Sequence, residues 1–378
     1  MSSTATFIDL ARQVAQGIAP RADAADRAGR LPPEDVQLLK ESGYLALSIP
    51  QEYGGGGASL RQVVEAQLEV AQVSPSTALV AAMTLQVFGD NAETQPWPAE
   101  QYAALAQQVA QHKAVMNVVA SEPALGSPSR GKAFASQASP QAEGGWLIDG
   151  HKTWVTGGQH LTHLLIRLMV GDSPGILVVP ANSVGLRWEA TWKDALAFRA
   201  SDSHDLYLEG VRVGPEALLE CGDSKLPHPN AWFPMLMASI YLGAAWGARN
   251  AVIRFALERI PTALGKPIAT LPKIQRQIGE LDIQWQAAHS LLLEVASAWS
   301  AHPEQRPKLY ARVAGAKHFA VESALRITDL ALQIAGGQSL THDLPLERFL
   351  RDVRAGTMQP PAGDTALEIA GRGALERG

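Results

Sequence analysis

The chain has 378 residues, room for two or three domains at roughly 100–200 residues each, and its 46% hydrophobic content against 18% charged excludes a disordered chain. A net charge of −5 carries none of the basic footprint nucleic acid requires, and one cysteine, Cys221, excludes a disulfide framework and a cysteine-ligated metal cluster. No apolar run reaches the ~18 residues of a membrane span, and the first residues lack a secretory signal's charged start and apolar core, so a cytoplasmic protein away from membranes is expected.

Residues 1–118 read as a helical domain. Phe7 to Ile18 has helical spacing, and Pro32 and Pro33 open a helix that stops at Gly43. Gly54 to Gly57 can only be a loop, and Ser59 can cap the helix after it. Two more helical stretches cover Thr77 to Phe88 and Ala99 to Gln111. From residue 119 to 222 short apolar runs alternate with Gly, Pro, Asp and Ser, the pattern of a β-domain. The clearest strands are Trp146 to Asp149, Leu161 to Val170, Gly175 to Val179 and Asp205 to Val213. Residues 228–378 return to helix. Ile274, Ile278, Leu281, Trp285, Ala288, Leu292, Val295 and Trp299 form one apolar seam at alternating steps of four and three. Val313, Ala316, Ala320, Ala324, Ile327, Ala331 and Ile334 form a second, so a helix bundle is expected. Ser239, Gly243, Gly247 and Ala251 place small residues one turn apart, where another backbone can come close.

Five segments, in chain order, carry a family resemblance. Pro50 to Gly55 is similar to P-x-x-x-G-G. Ala120 to Ser127 resembles T-E-P-x-x-G-S. Asp149 to Gly158 resembles G-x-K-x-W-I-T-N-G. Leu206 to Val213 resembles F-x-x-V-x-V-P. Gln333 to Gly337 with Pro345 to Arg348 and Arg351-Asp352 resembles Q-x-x-G-G…P-x-E-R…R-D. Together they identify the chain as similar to the acyl-CoA dehydrogenase superfamily. That resemblance implies an α+β fold: an N-terminal helical domain, a middle β-barrel-like domain and a C-terminal four-helix bundle.

It also implies a flavin, FAD or FMN. An isoalloxazine is a flat ring with a polar edge, so it needs a face to lie on and donors beside it. By the resemblance Trp154 packs on the ring and Thr156, two residues on in a strand and on the same side, bonds near the reactive nitrogen. Ser121 stands where the family has an edge-contacting threonine. Gly126 and Ser127 form a turn whose amides meet flavin or substrate. Gln333, Gly336 and Gly337 serve the flavin of a neighbouring subunit, which implies a homodimer or homotetramer. A small-molecule substrate is expected, an acyl-CoA or a similar activated compound, with an electron-transfer or reductase partner. His151, His160 and His163 have no helical i, i+4 metal spacing, so no metal site is expected. Lys152 reads as strand-end polarity.

The chain departs from the family at three places. Counting on from Arg351-Asp352 puts Pro360 at the catalytic glutamate and Ala362 at the threonine after it; the other place for a glutamate, residues 231–236, has no carboxylate. Pro234 takes the place of an arginine there. The segment that grips the flavin pyrophosphate lacks its arginine at 261–265, with Arg259 and Lys266 as the nearest cations. The catalytic base is therefore unknown. Asp364 is the nearest candidate along the chain, though Gly363-Asp364-Thr365 also reads as the cap of a final helix. The alternatives are a two-component flavin monooxygenase of the same fold, or a non-catalytic homologue.

Overall fold

The computed structural model describes residues 4–125, 134–222 and 229–376. The N-terminal helices are α1 (Thr4–Ile18), α2 (Ala22–Ala28), α3 (Pro33–Glu41), α4 (Leu60–Ala71), α5 (Pro75–Thr94) and α6 (Ala99–Ala110). α4 starts on a reciprocal capping box: the Ser59 side chain accepts from the Gln62 amide while the Gln62 side chain accepts from the Ser59 amide. The glycine run folds back on its approach, with Gly56 and Gly57 amides donating to the Ala46 and Ile49 carbonyls. A Cβ at Gly55 would lie 2.2 Å from the Ile49 oxygen, so only glycine fits that turn. α5 is buried on nearly every side, which is why it is apolar all round rather than striped.

The middle strands are β1 (Met116–Val119), β2 (Gln137–Pro140), β3 (Trp146–Val155), β4 (His163–Val170), β5 (Ser173–Pro180), β6 (Leu186–Glu189), β7 (His204–Val213) and β8 (Leu218–Cys221). They form one eight-stranded mixed sheet, β6-β7-β3-β2-β4-β5-β8, with β1 parallel to β4. Its end strands, β6 and β8, do not pair with each other among the described residues. β1, β2, β6 and β8 have four residues each, too few for an alternation to show in sequence.

The C-terminal helices are α7 (Trp232–Glu258), α8 (Pro272–Ala301), α9 (Arg306–Ala335), α10 (Leu346–Arg354) and α11 (Gly363–Leu375). α9 packs on α7, α8 and α11. Both expected seams face inward: on α8 Ile278 and Trp285 are partly buried and the rest buried, and on α9 all seven residues are buried. The small residues of α7 meet α4. A Cβ at Gly247 would sit 2.2 Å from the Gln72 carbonyl oxygen and 2.6 Å from the Phe349 ring. Gly247→Val is therefore expected to destabilise by about 3 kcal/mol, read as a lower urea midpoint; an unchanged midpoint would show that the α4–α7 contact gives way freely.

The segment from Pro345 to Asp352 bolts the C-terminal unit to the other two. Arg348 pairs with Asp23 at 2.9 Å and Arg351 with Asp26 at 2.5 Å, both on α2. Asp352 accepts from the Phe198 amide at 2.7 Å, a β-domain loop residue, while its second oxygen is buried with no partner among the described residues. Burial pushes the Asp352 carboxyl up to about 7, outweighing the pull of Arg348. A raised carboxyl binds its proton more tightly in the folded state, so its contribution is complete below the unfolded value and lost as pH rises through about 7. Asp352→Asn should remove that loss. The stability difference between variant and wild type should shift towards the variant from pH 4 to pH 7; a flat difference would contradict the assignment.

Candidate active site

Two of the sequence segments come together by backbone. The Thr153 amide donates to the Ser121 carbonyl at 3.0 Å, which lays the end of β1 against the end of β3. Beneath that contact Lys152 is fully buried, so it is not strand-end polarity as its sequence position suggested. Its ammonium pairs with Glu122 at 2.5 Å and also donates to the Arg167 carbonyl. Glu122 accepts in addition from the Ala135 and Ser136 amides at 2.6 and 3.1 Å. Burial alone would raise the Glu122 carboxyl, but the hydrogen bonds from Lys152, Ser136 and Ala135 outweigh it and hold it below the ordinary range. Burial pushes the Lys152 ammonium down to about 8 despite its partner.

The expectation that Trp154 and Thr156 project alike from one strand is corrected. β3 ends at Val155, and its pairing with β7 slips between Lys152 and Val155. Trp154 sits in that slip at φ 57 and is 57% exposed, an open indole face on a chain whose other tryptophans are mostly covered. The bulge, rather than strand alternation, turns it outward. Thr156 lies past the strand and is buried; its hydroxyl meets Ser203 Oγ at 2.9 Å, and Ser203 meets Ser201 Oγ at 2.7 Å. The Thr156 carbonyl accepts from Asn117 Nδ2 at 3.0 Å, and Asn117 Oδ1 is left buried without a partner among the described residues. Gly157, at φ 95, donates its amide to the Ser201 carbonyl at 2.9 Å. Ser201, Ser203 and Asn117 were not legible as residues beside Thr156; two hydroxyls and an amide far along the chain from the motif carry no sequence signal by themselves.

The β-domain meets the bundle at Phe198, whose ring lies 5.9 Å from that of Tyr241 on α7. Tyr241 donates its hydroxyl to the Gln359 side-chain oxygen. The turn at 356–361 is held by Lys317 of α9, which donates to the carbonyls of Gly356, Gln359 and Pro361 at 2.7, 2.8 and 3.0 Å. Pro360 thus lies between two anchored carbonyls. α7 opens at Trp232, so Phe233 and Pro234 lie in its first turn and no acidic residue does.

The remaining candidates lie elsewhere. Asp364 is exposed at the second position of α11, whose N-cap is Ala362 with no side-chain cap, so Asp364 does not cap the helix. Gln333 bonds Asp329 at 2.8 Å, and Gly336 and Gly337 are exposed with open space where a Cβ would lie. That end of α9 is roughly 27 Å from Lys317 at 1.5 Å per residue. Arg259 and Lys266 are exposed on the loop after α7. Gly126 and Ser127 lie outside the described residues. His151 bonds Asp205 at 2.8 Å and stacks on Tyr207, His160 approaches Asp202, and His163 bonds Thr162, so the three histidines do not converge. No helix among the described residues is long and apolar enough to cross a membrane.

An exposed aromatic face, a buried hydroxyl chain and an orphaned amide oxygen beside it fit the flat ring and polar edge of an isoalloxazine. Fold and site together define a flavin-dependent oxidoreductase. Residues 3–97 match the acyl-CoA dehydrogenase N-terminal domain and residues 235–359 the acyl-CoA dehydrogenase C-terminal domain. YdbM of Bacillus subtilis (strain 168), named as an acyl-CoA dehydrogenase, is 35% identical over 93% of this chain and 92% of its own. The 3-sulfinopropanoyl-CoA desulfinase of Paraburkholderia xenovorans (strain LB400) is 27% identical over 94% of this chain and 91% of its own. Among solved structures, FMN-bound TdsC from Paenibacillus sp. A11-2 has a TM-score of 0.88 at 24% identity over 98% of both chains, a likeness of fold. The chain belongs to the acyl-CoA dehydrogenase family.

Proposed function

We propose that the protein binds FAD against Trp154 with Thr156 at the ring edge, and acts on a CoA thioester or similarly activated acyl compound between the β-domain and α7. The observation that carries this is Trp154, held at φ 57 and 57% exposed beside the Thr156–Ser203–Ser201 hydroxyl chain. The flavin, when bound, supplies the two-electron acceptor. The chain's own residues orient it: Trp154 offers the stacking face, Thr156 a hydroxyl, Ser203 and Ser201 the partners that keep that hydroxyl satisfied. Gly336 and Gly337 would serve a second copy, giving a homodimer or a dimer of dimers; Leu340 beside them is 83% exposed, which a partner would cover.

The test is titration of the protein with FAD and with FMN, followed by tryptophan fluorescence and the visible spectrum. Tight FAD binding that Trp154→Ala weakens supports the reading; absence of binding to either flavin ends it. Light scattering should return a mass of two or four chains, and one chain at micromolar concentration would refute the oligomer.

A second reading has a specific observation behind it. Pro360 and residues 231–236 offer no carboxylate for α-proton abstraction. One relative is a desulfinase acting on a CoA thioester, and the fold neighbour TdsC is a dibenzothiophene monooxygenase. A monooxygenase would take reduced flavin from a reductase; a dehydrogenase would hand electrons to an electron-transfer partner. Stopped-flow mixing of reduced protein with oxygen separates them, since only the former should build a long-lived oxygen adduct.

A further inference from the structure

Lys317 is a buried ammonium with no carboxylate bonded to it among the described residues. All three of its protons go to backbone carbonyls of one turn, those of Gly356, Gln359 and Pro361. Burying a charge is costly unless its hydrogen bonds are complete, and here three acceptors complete them. The same turn is pinned from the other side. Gly356 packs so closely that a Cβ there would lie 2.9 Å from Val321 and 3.1 Å from Tyr241. The Tyr241 hydroxyl then takes the Gln359 side-chain oxygen. With that oxygen committed, the Gln359 Nε2 has its two protons and no partner among the described residues, and the side chain is only half-buried. Tyr241 is also the residue that touches the β-domain, through Phe198. A fixed, neutral amide donor therefore stands at the junction, one residue before the position at which the chain lacks a carboxylate.

We propose that Gln359 is a substrate-contacting residue, an amide that donates to a carbonyl oxygen of a CoA thioester, and that Lys317 is its positioning residue. This rests on the reading that the substrate lies between the β-domain and α7. An amide donor can stabilise negative charge on an oxygen but cannot abstract a proton. It suits a substrate whose carbonyl is polarised and held, with no demand on position 360.

The probe is octanoyl-CoA, its binding followed by perturbation of the bound FAD spectrum in the reconstituted protein, with FAD affinity measured separately. Gln359→Leu should weaken octanoyl-CoA about tenfold, the scale of one hydrogen bond, while FAD affinity stays within twofold. Lys317→Met should cause a similar loss and Lys317→Arg a smaller one. If Lys317 acts through Gln359, the double variant Gln359→Leu/Lys317→Met should bind no worse than Gln359→Leu alone, whereas independent roles would add. Wild-type affinity in Gln359→Leu, or additive losses, would overturn the proposal. Hydrogen exchange is read on the same variants. The Met358 and Gln359 amides, which bond the Ala355 carbonyl, should exchange at least tenfold faster in Lys317→Met with the rest of α9 unchanged. Unchanged exchange would remove Lys317 from the proposal whatever the ligand does. If the wild type binds FAD but no octanoyl-CoA, the thioester reading itself is wrong and the Gln359 contact falls with it, while the exchange result still decides the clamp.

Discussion

Lys152→Met is expected to be among the most destabilising single substitutions in the β-domain, by roughly 3–5 kcal/mol, because it leaves Glu122 buried and charged without its cation. Methionine matches the length of the stem, so the loss is electrostatic rather than a cavity. The remaining amides of Ala135 and Ser136 cannot neutralise a carboxylate. The pH dependence has a definite sign. In the wild type the Glu122 carboxyl is held below its ordinary value, so its contribution is present at neutral pH and lost as pH falls through the folded value. The Lys152 ammonium, pushed down to about 8, gives a slope of the same sign at higher pH: the folded state binds that proton less tightly, and stability from this group rises as pH passes from 8 towards the unfolded value. In Lys152→Met the sign for Glu122 reverses. An unpaired buried carboxyl prefers its proton, so acidification towards pH 5 should recover stability. Glu122→Gln/Lys152→Met should be more stable than Lys152→Met alone, since no net charge remains buried. Thermal and urea unfolding at pH 5 and pH 7.5 read all of this. A Lys152→Met midpoint equal to wild type at pH 7.5 would mean that water reaches Glu122.

That pair also shows which part of the sequence signal was about fold. The glutamate of the Ala120-to-Ser127 segment and the lysine of the Asp149-to-Gly158 segment were legible as motif letters, and their meaning was not. Nothing in the local sequence says that residues 30 apart form one buried ion pair. Glu347, Arg348, Arg351 and Asp352 are similar: they read as motif, and the structure ties Arg348 and Arg351 to α2, Asp352 to the Phe198 loop and Glu347 to Arg351. The bundle was the most legible element. Its seams run over four turns or more, and periodicity over that length survives any single exception. The geometry expected at Trp154 was wrong, because a two-residue strand period assumes no bulge and the bulge is what exposes the ring. Lys317 was passed over because a lysine inside an alanine-rich helical seam looks like a solvated face. Only its depth and the turn above it reveal a clamp.

The largest effect on chemistry is expected at Pro360. α-Proton abstraction needs a base within hydrogen-bond reach of the substrate carbon, and a positioned base contributes typically ~10²–10⁴-fold. Pro360 has nothing to ionise. Asp364 is exposed in the first turn of α11, and Glu368 is exposed beside Arg372 at 3.9 Å, so each sits on a solvated helix face. The first turn of α7 has no acid at all. Wild-type oxidation of octanoyl-CoA by an artificial electron acceptor should therefore be slow, and Asp364→Ala should leave it unchanged. Pro360→Glu should raise kcat by about 10²-fold, the lower end of that range. The surroundings favour the ionised form. Lys317 donates to the carbonyls on both sides of position 360, at 2.8 and 3.0 Å, so a carboxylate introduced there would stand near a fixed ammonium. A gain in kcat with octanoyl-CoA binding unchanged would place position 360 at the reacting carbon and leave the wild type as a family member that does something other than ordinary dehydrogenation. Rapid wild-type turnover surviving Asp364→Ala would mean that the base comes from another part of the chain, and no gain in Pro360→Glu would refute the register that puts Pro360 at the reacting carbon.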